Sequence, residues 1–149
     1  GYMQKLSETG TYTVSDRVLR AVQAEFSCGF CTDAQGAQTI GRTFRENHYL
    51  LDTHTAVACT VLDAYRAGTG DQTLTVVEST ASPFKFCASV LDALGVTEHA
   101  PGTGVLGQLT AETGRPAPGP LASLAGKPVR FDQVTDRGDM RAVVTEFLR

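Results

Sequence analysis

TLTVVESTASPFKF, residues Thr73 to Phe86, decides how the rest of this chain is read. Leu74-Thr75-Val76-Val77 is apolar without clean alternation, the pattern of a strand covered on both faces, as in a parallel sheet. Three hydroxyl residues, Ser79, Thr80 and Ser82, stand where that strand ends. Ser82 suits the N-cap of a helix and Pro83 its first position, so strand, polar turn and helix follow one another. In an open α/β sheet, ligands dock at the carboxyl ends of strands. Free backbone N–H groups at the helix start would complete the outline of a small-molecule site.

Outward from this stretch the chain is mostly helical. Pro83 to Leu94 reads as the helix that follows, closed by Gly95. Upstream, Asp52 caps a helix from Thr53 to Ala67, ended by Gly68. Its apolar residues lie on more than one side, which predicts deep burial. Thr32 and Gln35 form a capping-box pattern for a helix to about Asn47, with Ala37, Ile40 and Phe44 as its stripe. Ser15 caps a helix to about Phe26, with Val18, Leu19, Val22 and Phe26 on one face. Thr11–Val14 reads as a short strand or an extended entry. Downstream, Thr103 to Thr113 is helical, and Pro116, Pro118 and Pro120 mark an extended connector. Pro128 to Val134 suits an edge strand, and Asp136 opens a last amphipathic helix through Leu148. One convincing buried strand is too few for a sheet. The chain therefore reads as part of a domain whose other strands lie elsewhere.

Composition narrows the function classes. The 149 residues are 42% hydrophobic and 19% charged, which fits a globular protein with a core. A net charge of -3, with scattered basic residues, argues against general nucleic-acid binding. No apolar run is long enough for a membrane span, and no secretory pattern opens the chain. The four cysteines are Cys28, Cys31, Cys59 and Cys87. Cys59 and Cys87, inside predicted helices with apolar neighbours, read as buried reduced thiols, and with nothing else pointing to secretion the expected compartment is cytoplasmic. Gly1 is not a natural start, so the chain is expected either to begin inside a longer protein or to carry a tag remnant.

Beside the hydroxyl triplet, three groups invite chemistry. Cys28-Gly29-Phe30-Cys31 is a CxxC, but it follows a helix, whereas a thioredoxin-type pair follows a strand. A zinc site would need a second pair of ligands, and the sequence has none. Two incidental loop cysteines are the better reading, and neither a redox nor a metal role is expected. His54 lies in the first turn of the Asp52-capped helix, where it either helps close the cap or faces an anion or a cofactor ring. Lys85 opposes the helix dipole in the turn after the hydroxyl triplet. It is either a solvated lysine or a partner for a phosphate-bearing ligand, with Ser82 beside it.

These residues carry a resemblance. Tyr49-Leu50-Leu51-Asp52-Thr53-His54-Thr55-Ala56-Val57, Ser79-Thr80-Ala81-Ser82-Pro83-Phe84-Lys85-Phe86 and Lys127-Pro128-Val129-Arg130-Phe131 resemble blocks in the carboxyl-terminal part of threonine synthases of the longer bacterial and fungal type. Glu8 to Ser15 and Phe26 to Cys31 resemble its lead-in and its short loop. Thr53 stands where the family usually has proline, and Cys28 where it usually has a small residue.

The resemblance implies an α/β fold. Residues 1–149 would be one incomplete domain, a helix-rich fragment of the pyridoxal-phosphate fold shared with the tryptophan synthase β chain, with one clear buried strand. It implies a lyase that converts O-phosphohomoserine and water to threonine and phosphate. Thr80 or Ser79 would hydrogen-bond the pyridine nitrogen, His54 would sit near the ring, and Lys85 and Ser82 would lie toward the substrate. The cofactor-anchoring lysine belongs to an amino-terminal half absent here, and the glycine-rich phosphate loop, upstream or between, is missing too. None of Lys5, Lys85 and Lys127 resembles that lysine in context. The chain alone is thus expected to bind no pyridoxal phosphate and to be inactive, with its strand edges open to self-association. The alternatives are a freestanding binding or regulatory domain derived from such an enzyme, and, more weakly, a CxxC redox protein.

Overall fold

A computed structural model describes residues 1–148. Eight α-helices appear among them: α1 (Tyr2–Thr9), α2 (Asp16–Glu25), α3 (Asp33–Asn47), α4 (Thr53–Thr69), α5 (Cys87–Ala93), α6 (Gly104–Thr113), α7 (Gly119–Ala122) and α8 (Met140–Phe147). Two short 3-10 turns, Pro83–Lys85 and Ser123–Gly126, complete the elements. The chain forms two compact units, Gly1–Glu98 and His99–Arg149.

The first unit is built on α3, which packs against α4 and α5. Its start follows from the sequence. Thr32 Oγ1 accepts from Gln35 N at 3.3 Å, and the Gln35 side chain accepts from Thr32 N at 2.8 Å, a closed capping box. Gly41 allows the close approach to α5, because a Cβ there would lie 2.7 Å from the Ala93 carbonyl oxygen. Thr39 and Thr60 join α3 to α4 by a 2.8 Å hydroxyl pair. The core gathers Ile40, Leu50, Leu51, Ala56, Phe84, Cys87, Val90 and Leu91. The Arg42–Asp63 ion pair on its surface is half exposed and contributes about 1 kcal/mol or less. In the second unit Leu109 of α6 is buried, and Phe131 meets Phe147 of α8 edge-on at 6.1 Å.

Several expectations are corrected. Among the described residues there is no strand, so neither Thr11–Val14, Thr73–Ser79 nor Pro128–Val134 forms one. Leu74 is 93% exposed and Val76 85% exposed, the opposite of a buried strand. A strand exists by pairing, and no described segment lies alongside 73–79 to accept its ladder. Side chains meet part of the demand instead. Asp71 accepts from Thr73 N, and Arg66 donates to the Thr73 carbonyl oxygen at 3.1 Å.

The helix expected over Pro83–Leu94 is broken. Phe86, at φ -130° and ψ 37°, separates the 3-10 turn from α5, while Gly95 closes it in the left-handed region as expected. Helix α4 runs past Gly68 and ends at Gly70, whose φ of 73° makes the left-handed cap. Its deep burial is not observed, since only Thr55 and Ala56 are buried on it. The connector of three prolines holds α7, and α8 begins at Met140 rather than Asp136. Helix α1 has no counterpart in the sequence reading.

Candidate functional site

Ser79, the first residue of the hydroxyl triplet, is tied to the start of α4, and Asp52 is the reason. Asp52 is fully buried at the N-cap. Its Oδ1 accepts from His54 N at 2.9 Å and from Thr55 N at 3.2 Å. Its Oδ2 accepts from the Thr55 hydroxyl and from Ser79 Oγ, the latter at 3.3 Å. Burial pushes this carboxyl up, but the hydrogen bonds from Thr55, His54 and Ser79 outweigh it and hold the group below its ordinary value. Sequence reasoning found the cap and missed the bond to Ser79. Nothing in a single sequence marks a contact across 27 residues.

The predicted site residues have different fates. Ser79 is tied to Asp52, with its oxygen 3.2 Å from Thr55 Oγ1. Thr80 is exposed, and among the described residues its hydroxyl has no partner. Ser82 caps the 3-10 turn by accepting from Phe84 N at 3.3 Å. The turn does not offer the free N–H groups expected of it, because Lys85 N donates to the Ser82 carbonyl and Phe86 N to that of Pro83. The N–H groups of Thr80, Ala81 and Ser82, just before it, meet no acceptor among the described residues.

His54 is exposed in the first turn of α4, its ring tilted against Phe86 at 5.0 Å. Lys85 Nζ lies 5.8 Å from the same Phe86 ring. His54 and Lys85 thus both approach the Phe86 ring, a role the sequence reading did not give that residue.

A cavity of about 570 Å³ opens next to this group, between the start of α3, the first turn of α4, and α5. Thr53 and Phe86 line it, but none of Ser79, Thr80, Ser82, Lys85 and His54 does. Cys31 borders it, and Cys28 is exposed in the loop before α3, as its position in the sequence implied. Cys59 is half-buried rather than buried, and Cys87 is buried with Sγ donating to the Phe84 carbonyl.

The sequence model described as "Threonine synthase, C-terminal" matches residues 55–145, well over half of the chain. The chain belongs to the threonine synthase family. Threonine synthase of Schizosaccharomyces pombe is 32% identical over 94 residues, covering 62% of this chain and 18% of that protein. Threonine synthase-like 1 of Mus musculus is 33% identical over 82 residues, 54% of this chain and 10% of that protein. The solved structure of threonine synthase from Brucella melitensis with bound pyridoxal phosphate aligns with a TM-score of 0.52 at 30% identity. That alignment covers 77% of this chain and 23% of that one. The chain therefore spans no more than about a fifth of the length of these curated relatives. The match takes in the Thr55-Ala56-Val57 and Ser79–Phe86 blocks together, the two that meet at Asp52. Among the described residues no helix is long and apolar enough to cross a membrane.

Proposed function

We propose that this chain is the carboxyl-terminal part of a pyridoxal-phosphate-dependent threonine synthase and forms one wall of its active site. The observation that carries the reading is the Ser79–Thr80 turn, held against the start of α4 beside His54 and Phe86 within a threonine synthase chain.

The residues fit one end of the cofactor. A pyridine nitrogen needs a single donor, and Thr80 has an exposed hydroxyl with its proton uncommitted. Ser79 fits that task less well, since its proton goes to Asp52. His54, on Phe86, supplies a flat wall beside the ring. When bound, pyridoxal phosphate would supply an electron sink for negative charge developing on the substrate carbon that bears the amino group. A neutral hydroxyl at the ring nitrogen tempers that sink, because it does not force a proton onto the ring. Lys85 and the three N–H groups at Thr80, Ala81 and Ser82 give this wall an attraction for the phosphate of O-phosphohomoserine.

The other end of the cofactor has no fit here. An anchoring lysine must be held partly desolvated against the cofactor, and Lys5, Lys85 and Lys127 are all exposed. We place that lysine in a preceding portion of the same protein, together with the strands that would pair with 73–79. In this reading residues 1–149 form one incomplete domain and are inactive alone.

The test is Thr80→Val in the complete enzyme, with the chain alone as a second sample. The substitution keeps the shape and removes the hydroxyl. Turnover is expected to fall on the order of tenfold, the rate equivalent of one hydrogen bond, with stability little changed. Unaltered turnover, or threonine formed by the chain alone, would refute the assignment.

A further inference from the structure

We propose that Asp52 is a positioning residue for this site: its second carboxylate oxygen fixes the Ser79–Thr80 turn to α4 and draws the Ser79 proton inward. The inference rests on the cofactor-facing reading of Thr80.

A helix cap needs one side-chain oxygen. Oδ1 of Asp52 already fills that role with the His54 and Thr55 amides. Oδ2 is therefore surplus to capping, and it is spent on the Thr55 and Ser79 hydroxyls. An ionised carboxylate only accepts, and each hydroxyl carries one proton. Ser79 donates its proton to Oδ2, and the single proton of Thr55 Oγ1 is shared between Oδ2 and Ser79 Oγ, 3.2 Å away.

Two consequences follow for the turn. Upstream, Arg66 reaches Thr73 and Thr75, and downstream Phe84 is buried. Between them, the side-chain hydrogen bonds that tie residues 76–81 to the rest of the unit, among those described, are the two at Ser79, to Asp52 and to the Thr55 hydroxyl that Asp52 also holds. The second consequence is one of polarity. With its proton turned inward, Ser79 presents only lone pairs outward, so Thr80 is the side chain of that pair able to donate to a ligand. Asp52 thus sets both the place and the hydrogen-bonding sense of the turn without touching the ligand.

Asp52→Ser separates these roles from capping. Serine caps about as well as aspartate, but it has a single side-chain oxygen, which the cap uses, and none is left to accept from Ser79. Ser79→Ala removes the same link from the other side. In this chain, 15N relaxation should give Thr80 and Ala81 order parameters near 0.85 in the parent. Below about 0.6 is expected in both variants, with α3 and α5 unchanged. In the complete protein loaded with pyridoxal phosphate, both variants should shift the visible band of the bound cofactor, which a purely structural cap would not do. A turn equally ordered in all three proteins overturns the inference. So does a loosened turn with an unchanged cofactor band, which would leave Asp52 a structural residue only. If the parent complete protein takes up no pyridoxal phosphate, the proposed function falls and takes this role with it. The relaxation data would then still report whether the link exists.

Discussion

Asp52 concentrates four hydrogen-bond donors on one buried carboxylate, and its titration follows from that. Its folded value lies below the ordinary 3.8, so the unfolded state binds the proton more readily. The stabilisation is fully present above the unfolded value and is lost as pH falls through the folded one. Urea midpoints of the chain should therefore drop below about pH 4. Asp52→Asn should make that drop shallower. Asp71, held low by Thr73 and Tyr65, leaves a remainder in the same direction. An identical acid limb in parent and variant would show that Asp52 is not held low. At this scale the sequence was legible where a residue acts on its neighbours, as at Ser15, Thr32 and Asp52. It was silent on Ser79, whose partner is distant in sequence, and on Phe86, whose ring matters only because His54 and Lys85 arrive beside it.

Helix starts were read accurately where a side chain caps them, as in α2, α3 and α4. Where none does, the helix read from Pro83 begins at Cys87 and the one read from Asp136 begins at Met140. A cap such as Thr32 with Gln35 is a contact across three residues, so the sequence contains all of it. A glycine stop is a choice between candidates, and α4 passes Gly68 to end at Gly70. The two kinds of helical glycine predict opposite results for one substitution. Gly41→Ala places a methyl group against the Ala93 carbonyl oxygen, a backbone atom that must move. Overpacking then outweighs the better helix propensity, for a net loss of about 1 to 2 kcal/mol. Gly68→Ala meets nothing within 4 Å and should stabilise by up to about 1 kcal/mol. Urea unfolding of both variants measures this, and a Gly41→Ala protein as stable as the parent would mean that α3 and α5 are not in close contact.

Across the whole chain, apolar side chains stay in solvent. Leu74, Val76 and Val129 are almost fully exposed, as are Val134 and Phe30, and the apolar face of α2 is uncovered. Scattered exposed apolar residues are normal, but runs of them mark surfaces meant for contact. The chain by itself should bind a hydrophobic dye and sediment as a concentration-dependent mixture, with unpaired segment 73–77 a principal contact. Leu74→Lys with Val76→Lys should return it toward a monomer. Sedimentation that stays monomeric at every concentration in the parent would remove the basis for this expectation.

Local chemistry was decided by the sequence alone: the caps of α2, α3 and α4 and the family blocks around Asp52 and Ser79. Each depends on residues within a few positions of one another, and such interactions survive outside any particular fold. The fate of 73–79 was decided otherwise. Its β-branched residues suit a strand, but pairing requires a neighbouring backbone, and no described residue of this chain supplies one. The Asp52–Ser79 bond likewise exists because α4 and the turn are packed together, which no local preference in either segment could announce.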